Sequence, residues 1–145
     1  MSGVQKSVLA TWSLACLVTI GLLGCSGGAH APQTSDPGPL NSLSAAYMRA
    51  TSKLNRPPKD AEELKAHLAS GETIDKLLTS PNDNQPYVIL WGADPRSGMD
   101  LKPLVIAYEK EGKGGVRFVF TAMGVSLMGS EEFKEANFPQ GHKPG

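Results

Sequence analysis

Residues 26–39 are the part of this chain that most restricts what it can fold into. The segment reads Ser-Gly-Gly-Ala-His-Ala-Pro-Gln-Thr-Ser-Asp-Pro-Gly-Pro. Its small and proline residues leave too little apolar surface to bury, so the segment cannot form a core. We predict a flexible tether over residues 25–39, which spans roughly 20 Å as a coil. The folded domain must then come from residues 40–138, and we expect residues 139–145 to be disordered.

A short polar stretch and an apolar run precede this tether. Lys6 is the cation of the polar stretch, and the run extends from Val8 to Leu23. This layout is typical of a secretory signal peptide. An uncleaved anchor helix is a weaker alternative, because the run is about 16 residues long and a membrane span needs about 20.

The apolar run closes on the four residues Leu22-Leu23-Gly24-Cys25. They resemble the lipobox of bacterial lipoproteins, although Leu23 stands where a small residue is more usual. The resemblance implies that residues 1–24 are removed as a signal peptide and that Cys25 becomes the N-terminus and carries the lipid, including palmitate. Two alternatives stay open: cleavage after Ala29-His30-Ala31, and a weaker lipobox that ends at Cys16.

The same resemblance implies a location in the cell envelope. The N-terminal lipid would anchor the protein on the outside of the inner membrane or at the outer membrane. Ser26, which follows the cysteine in place of an aspartate, resembles outer-membrane sorting and favours that membrane. Because Cys16 leaves with the signal peptide, only Cys25 remains, and neither a disulfide framework nor a cysteine zinc site is possible.

The charge balance excludes one class of partner. The chain holds 14 basic and 14 acidic residues, and removal of Lys6 leaves 14 − 1 = 13 basic residues against 14 acidic ones. A nucleic-acid-binding protein would need a basic stripe, which the sequence lacks. We predict two other partners: a membrane, reached through the lipid, and an envelope protein that the sequence does not identify.

Hydrophobic periodicity predicts that helices come first. The apolar residues of the first helix follow three- and four-residue steps, which places them on one face: Leu40, Leu43, Tyr47, Ala50 and Leu54. We expect Asn41 or Ser42 to cap this helix, and Arg56-Pro57-Pro58 to end it.

A second helix is predicted after the prolines. Asp60 would cap it, with the Glu63 side chain reaching back to complete the capping box. Gly71 is the expected C-terminal stop. A helical turn should follow near residues 72–78.

Strands are predicted in the second half of the chain. Tyr87–Trp91 is apolar on both faces, which is typical of a central or fully covered strand. Further strands are expected over residues 104–108, 116–122 and 125–128, and one face of the 116–122 strand should point to the core. Ser130 would cap a last helical turn. The predicted fold class is α+β, with N-terminal helices packed on a small antiparallel meander of three to four strands.

This order of elements resembles the globular head of type II secretion pseudopilins and pilin-like proteins. Residues 47–133 also resemble small planctomycete-type envelope lipoproteins, through these motifs: Arg56-Pro57-Pro58, Glu62-Glu63-Leu64, Ser80-Pro81-Asn82-Asp83, Pro86-Tyr87-Val88, Ala107-Tyr108-Glu109, Gly124-Val125-Ser126 and Glu131-Glu132-Phe133. A standard pilin carries a glutamate early in its apolar helix, and no glutamate precedes Glu62 here. The resemblance therefore implies a pilin-head-like fold and transfers no functional residue.

Motifs for catalysis are missing from the sequence. Of the three histidines, His30 and His142 lie in the predicted tether and tail, and His67 lies in the second helix. A catalytic histidine needs a nucleophile and an orienting acid in a folded cleft, and no nucleophile elbow, phosphate loop or dinucleotide fingerprint occurs. We predict a protein that is not an enzyme, with no catalytic residue and no cofactor.

A calcium site is the one metal site that the residues suggest. Asn82, Asp83, Asp94 and Asp100 fall in the two loops that flank the first predicted strand. Calcium binds several such oxygen ligands, and some pseudopilins hold calcium in a sheet-edge loop. Because Asn and Asp are also common turn residues, our first interpretation is that no metal binds and that these four are only weak candidates.

The sequence leads to one functional hypothesis and two alternatives. The hypothesis is a non-catalytic, membrane-anchored envelope lipoprotein that acts by protein–protein contact or scaffolding. The first alternative is an accessory component of a type II secretion or pilus-like machine. The second is a small periplasmic hydrolase or ligand-binding protein, which would need a deep pocket with converging polar residues.

Overall fold

A computed structural model describes residues 37–97 and 102–144 of the chain. The predicted signal peptide, the lipobox with Cys25, most of the tether and the calcium candidate Asp100 lie outside the described residues. The helices are α1 (Gly38–Leu54), α2 (Ala61–Lys65), α3 (Ile74–Leu77) and α4 (Ser130–Lys134). The strands are β1 (Val88–Ile89), β2 (Val105–Tyr108), β3 (Val116–Thr121) and β4 (Gly124–Gly129).

Helix α1 begins two residues earlier than predicted. Pro39 occupies its first turn, where the fixed φ of proline suits a helix and its missing N–H costs nothing. Asn41 already donates its backbone N–H to the Pro37 carbonyl, at 2.9 Å, so the prediction that Asn41 or Ser42 caps the helix is wrong. The predicted end before Arg56 is confirmed, with Asn55 in the left-handed conformation.

Helix α2 uses half of the predicted capping box. Asp60 accepts the Glu63 backbone N–H at 2.9 Å, as predicted. The Glu63 carboxylate does not reach back to Asp60, because it accepts the Lys59 N–H at 3.1 Å and pairs with the Arg56 guanidinium at 2.8 Å. The hydrogen bond from Arg56 is the main reason that the pKa of Glu63 falls to about 2. Because α2 ends at Lys65, Gly71 is not its stop.

The sheet is a four-stranded antiparallel meander in the order β1-β2-β3-β4. With the helices before it, this sheet confirms the α+β class. Tyr87–Trp91 was predicted to be a central or fully covered strand. It is not central, since β1 is a two-residue edge strand, but Val88 and Ile89 each pack against a buried cluster. Leu90 still donates its N–H to the Ile106 carbonyl of β2, at 2.8 Å, and the chain then leaves the sheet through a turn that Ala93 closes by donating its N–H to the Leu90 carbonyl. The strand that is buried along its whole length is β2.

Both faces of the sheet are covered, whereas one core-facing side was predicted for β3. On the first face, α1 packs Tyr47 against Phe120, with ring centroids 5.9 Å apart. On the second face, Val119 packs with Tyr108 and with Phe133 of α4. The alternation along β3 is therefore correct as a strand signal, but Val119 and Thr121, which alternate with Phe118 and Phe120, are also buried.

The chain after α4 returns to the sheet. Ser130 is the first residue of α4 and not its cap, since its hydroxyl donates to the Gly115 carbonyl at 3.0 Å. Val105 donates its N–H to the Asn137 carbonyl at 2.8 Å. His142, in the segment predicted to be disordered, lies with its Nε2 3.0 Å from the Tyr108 hydroxyl.

Among the described helices, none combines the length and the apolar character that a membrane crossing requires.

Candidate functional site

Glu109 is the centre of the main buried polar cluster. It directly follows β2 and is 1% exposed. Its Oε1 accepts the Ser80 hydroxyl at 2.7 Å and also the side-chain amide of Asn82, and its Oε2 accepts the Phe118 backbone N–H at 2.8 Å. Together with Asp83, these side chains of Ser80, Asn82 and Glu109 form what we call the polar anchor. It joins the turn at residues 80–86 to the start of the β2–β3 connection.

The turn at residues 80–86 presents its side chains through local hydrogen bonds. Ser80 donates its backbone N–H to the Gln85 carbonyl at 2.9 Å, and Asn84 adopts the left-handed conformation, at φ 54°. The Ser80 hydroxyl also accepts the Asn82 N–H at 3.1 Å. Within the described structure, Asn82 Oδ1 is buried and has no hydrogen-bond partner. The hydrogen bond to Glu109 fixes the orientation of the Asn82 amide, because exchanging its Nδ2 and Oδ1 would place two acceptors, Asn82 Oδ1 and Glu109 Oε1, against each other.

Asp83 holds the β2–β3 connection through backbone groups. Its Oδ1 accepts the Gln85 N–H at 3.0 Å, and its Oδ2 accepts the N–H groups of Glu111 and Gly112, both at 3.1 Å. Burial raises the pKa of Asp83, but these donors together outweigh burial and hold the pKa below its usual value. Asp83 is therefore an acceptor for two chain segments that are distant in sequence.

Among the three calcium candidates that the structure describes, Asp94 lies apart from Asn82 and Asp83. Asn82 and Asp83 share the polar anchor, whereas Asp94 pairs with the Arg96 guanidinium at 2.8 Å. That hydrogen bond from Arg96 is the main cause of a lowered pKa of Asp94. Asp100 lies outside the described residues. Within residues 37–97 and 102–144, no three His, Cys, Asp or Glu side chains gather closely enough to hold a metal ion. The contacts of Asn82, Asp83 and Asp94 are those of turn residues.

An aromatic cluster covers the second face of the sheet. The Tyr108 ring contacts Phe133 and Phe138, with centroids 4.8 and 6.0 Å away, and also packs against His142. The Arg117 guanidinium lies 4.2 Å from the centroid of the Phe133 ring. Sequence reasoning missed this cluster, because its members come from β2, β3, α4 and the C-terminal segment.

The remaining histidine in the described residues plays a different part. The His67 backbone carbonyl accepts the Arg49 guanidinium at 3.1 Å, on the surface beside α1. His67 and His142 share no contact within the described structure, so the two do not form a common site. A second group of aromatic residues lies in the core on the α1 face, where Tyr87, Phe118 and Phe120 are buried and Trp91 packs against them.

The outer edge of β4 is apolar and accessible. The strand reads Gly-Val-Ser-Leu-Met-Gly and contains no charged residue and no proline. Leu127 in its middle is 38% exposed, and Met123 in the preceding turn is 84% exposed. Natural sheets usually protect their edges with charges, prolines or bulges, so an edge without these devices is open to pairing.

The fold is that of an α+β domain built on a four-stranded antiparallel meander. No family model, curated protein or solved structure matches the chain. Any functional conclusion therefore depends on the residues described above.

Proposed function

We propose that this chain is a non-catalytic envelope lipoprotein, anchored by lipid at Cys25, that acts by protein–protein contact or scaffolding. The observation that carries the proposal is the order of three segments: a lipobox, a tether rich in small and proline residues, and a domain that begins at α1. A chain of this kind holds a folded domain close to a membrane surface. Ser26 favours the outer membrane as that surface.

The polar groups of the domain support a structural role. Glu109 and Asp83 bind backbone N–H groups and neighbouring turn residues, which ties distant segments together. Arg56 and Glu63 likewise form an ion pair that links the end of α1 to α2. Contact with another protein is supported by the open edge of β4 and by the exposed side chains of Met123 and Leu127.

The anchor is tested by labelling cells with an alkyne fatty acid. Cells produce the full-length protein, its Cys25→Ala variant or its Cys16→Ala variant, each with a C-terminal tag. We expect label on the parent and on Cys16→Ala, and none on Cys25→Ala, because only Cys25 follows a complete lipobox. Cys16→Ala is the matched control, since it makes the same substitution inside the same segment.

Contrary results are equally clear. Label on Cys25→Ala at the parental level would refute lipidation at this residue, as would a parent that takes up no label. The contact role is tested by crosslinking the parent in its native membranes and identifying what co-purifies by mass spectrometry. Recovery of the monomer alone after crosslinking would count against a scaffolding role.

A second candidate is an accessory component of a secretion or pilus-like machine. One observation favours it: a 17-residue helix, α1, packs on an antiparallel meander, and this order of elements resembles that of a pilin-like head. Co-purification of secretion or pilus components in the same crosslinking experiment would support it. An unrelated set of envelope proteins would exclude it.

A further inference from the structure

We infer that the partner of the β4 edge is a second copy of this chain, paired antiparallel about a two-fold axis at Leu127. The inference rests on the proposed contact role and names its partner. It concerns a strand edge whose N–H and C=O groups find no partner among the described residues. Such an edge is a template for pairing with an extended strand.

The hydrogen bonds of β4 show which groups face outward. In the β3–β4 register, Ser126 lies opposite Val119, and Ser130 donates its N–H to the Gly115 carbonyl. Hydrogen-bonded pairs alternate along an antiparallel ladder, so the even-numbered residues of β4 bind β3. The backbone N–H and C=O groups of Val125, Leu127 and Gly129 therefore point away from the sheet.

One two-fold register uses all three of these residues. When Leu127 lies opposite Leu127 of the second copy, Val125 lies opposite Gly129 of the second copy, and Gly129 opposite its Val125. Each is a hydrogen-bonded pair, so every outward N–H and C=O of the edge finds a partner. A register centred on Ser126 would pair only Val125 with Leu127 and leave Gly129 outside. The exposed Leu127 side chains meet at the axis in the first register, which removes apolar surface from water.

The lack of charge in β4 favours a second copy over a charged strand of another protein. A two-fold axis places Leu127 opposite its own counterpart and pairs every other residue of β4 with a different residue of the same strand. Like charges directly opposite each other destabilise a strand pair. The six residues of β4 carry no charge, so the symmetric pair has no such penalty. The same absence gives an unrelated charged strand nothing to recognise.

The expected dimer is weak in dilute solution. A six-residue edge is about 20 Å long, and pairing along it buries much less than the roughly 800 Å² per partner of a standard stable interface. Tethering on a common membrane raises the effective concentration of the two copies. A covalent trap therefore suits this interface better than gel filtration.

Cysteine trapping tests the register on the full-length chain in native membranes. Opposed residues of a hydrogen-bonded pair have Cα atoms about 5.5 Å apart, which a disulfide can bridge. We expect Leu127→Cys to give a reducible dimer on mild oxidation. Ser126→Cys is the matched control, because its Cα would lie about 7–8 Å from its counterpart, and we expect roughly fivefold less dimer from it.

The dimer that the parent chain forms on the same oxidation is the baseline, because it measures any disulfide made by Cys16 or Cys25. Equal dimer from Leu127→Cys and Ser126→Cys would overturn the inference, and so would no dimer from Leu127→Cys above the baseline. More dimer from Ser126→Cys would overturn the proposed axis. These readouts do not depend on acylation of Cys25, because trapping can be repeated on the detergent-solubilised chain. Failure of the pairing and failure of the lipid anchor are thus distinguishable.

A charge swap gives an independent test. One chain carries Val125→Cys and the other Gly129→Cys, since an added Cβ at Gly129 meets no atom within 4 Å. With Leu127→Lys in both chains, we expect trapped heterodimer to fall about fivefold, as like charges meet at the axis. With Leu127→Lys in one chain and Leu127→Glu in the other, the heterodimer should return. An equal yield in both mixtures, from chains with parental circular dichroism spectra, would refute the two-fold pair.

Discussion

The polar anchor leads to a quantitative prediction about Glu109. Its carboxylate accepts three hydrogen bonds while 1% exposed, from the Ser80 hydroxyl, the Asn82 amide and the Phe118 N–H. Glu109→Gln keeps the shape of the side chain and one of its acceptor oxygens. If the remaining oxygen of the new amide accepts the hydrogen bonds from Ser80 and Asn82, its NH₂ group lies against the Phe118 N–H. Two donors then face each other and the Phe118 N–H has no acceptor.

The cost follows from the number of donors left without an acceptor. A buried donor that loses its partner costs about 1–3 kcal/mol, so we expect Glu109→Gln to lower the free energy of unfolding by that amount. Glu109→Ala removes the acceptor of all three donors, and we expect a loss of about 3–5 kcal/mol. Domains of this kind have a total stability of about 5–15 kcal/mol, so the alanine variant approaches the limit of folding.

Urea unfolding followed by far-UV circular dichroism measures these losses. At an m-value of about 2 kcal/mol per M, a loss of 2 kcal/mol moves the midpoint by about 1 M. Glu111→Gln is the matched control: its side chain is exposed and only its backbone N–H binds Asp83, so we expect a change within about 0.5 kcal/mol. A Glu109→Gln midpoint equal to that of Glu111→Gln would refute the role assigned to the carboxylate.

Three further predictions concern single groups. The pKa of Asp83 lies below its usual value in the folded state, so its ionisation adds stability above about pH 4, and that stability is lost as the pH falls through the lower folded pKa. Acid titration of the unfolding free energy should show this loss for the parent and a smaller one for Asp83→Asn. Tyr47→Phe should cost about 1–2 kcal/mol in urea unfolding, because the buried Ala93 carbonyl loses the donor that lies 2.9 Å away; no change would mean that the bond contributes nothing. For the weak calcium candidates we expect the same melting temperature in calcium and in chelator, and a melting temperature that rises with calcium and falls with chelator would show that a site is present.

Local patterns were enough to predict most of the elements. The apolar face of α1 follows from residue spacing, and the Asp60 cap follows from residue type, since both depend on neighbours within four residues. The alternation of Phe118 and Phe120 likewise identifies β3. Each of these patterns is set by residues that are close to one another in sequence.

Tertiary pairing explains the failures. The Tyr87–Trp91 run is apolar enough for a central strand, but its place at the edge depends on which strand pairs with β2. Glu109 is similar, because its side-chain partners Ser80 and Asn82 lie 29 and 27 residues away and no spacing rule joins them to it. The register that makes Asp83 an acceptor for the β2–β3 connection is also set by the folded chain.

The complete burial of β2 has a consequence for how the domain opens. All four residues, Val105–Tyr108, are buried, with β1 on one side and β3 on the other. Amide hydrogens in such a strand exchange with solvent only when the domain unfolds as a whole, whereas edge strands exchange through local fluctuations. Deuterium uptake by β2 therefore reports the stability of the whole domain under native conditions, without any denaturant.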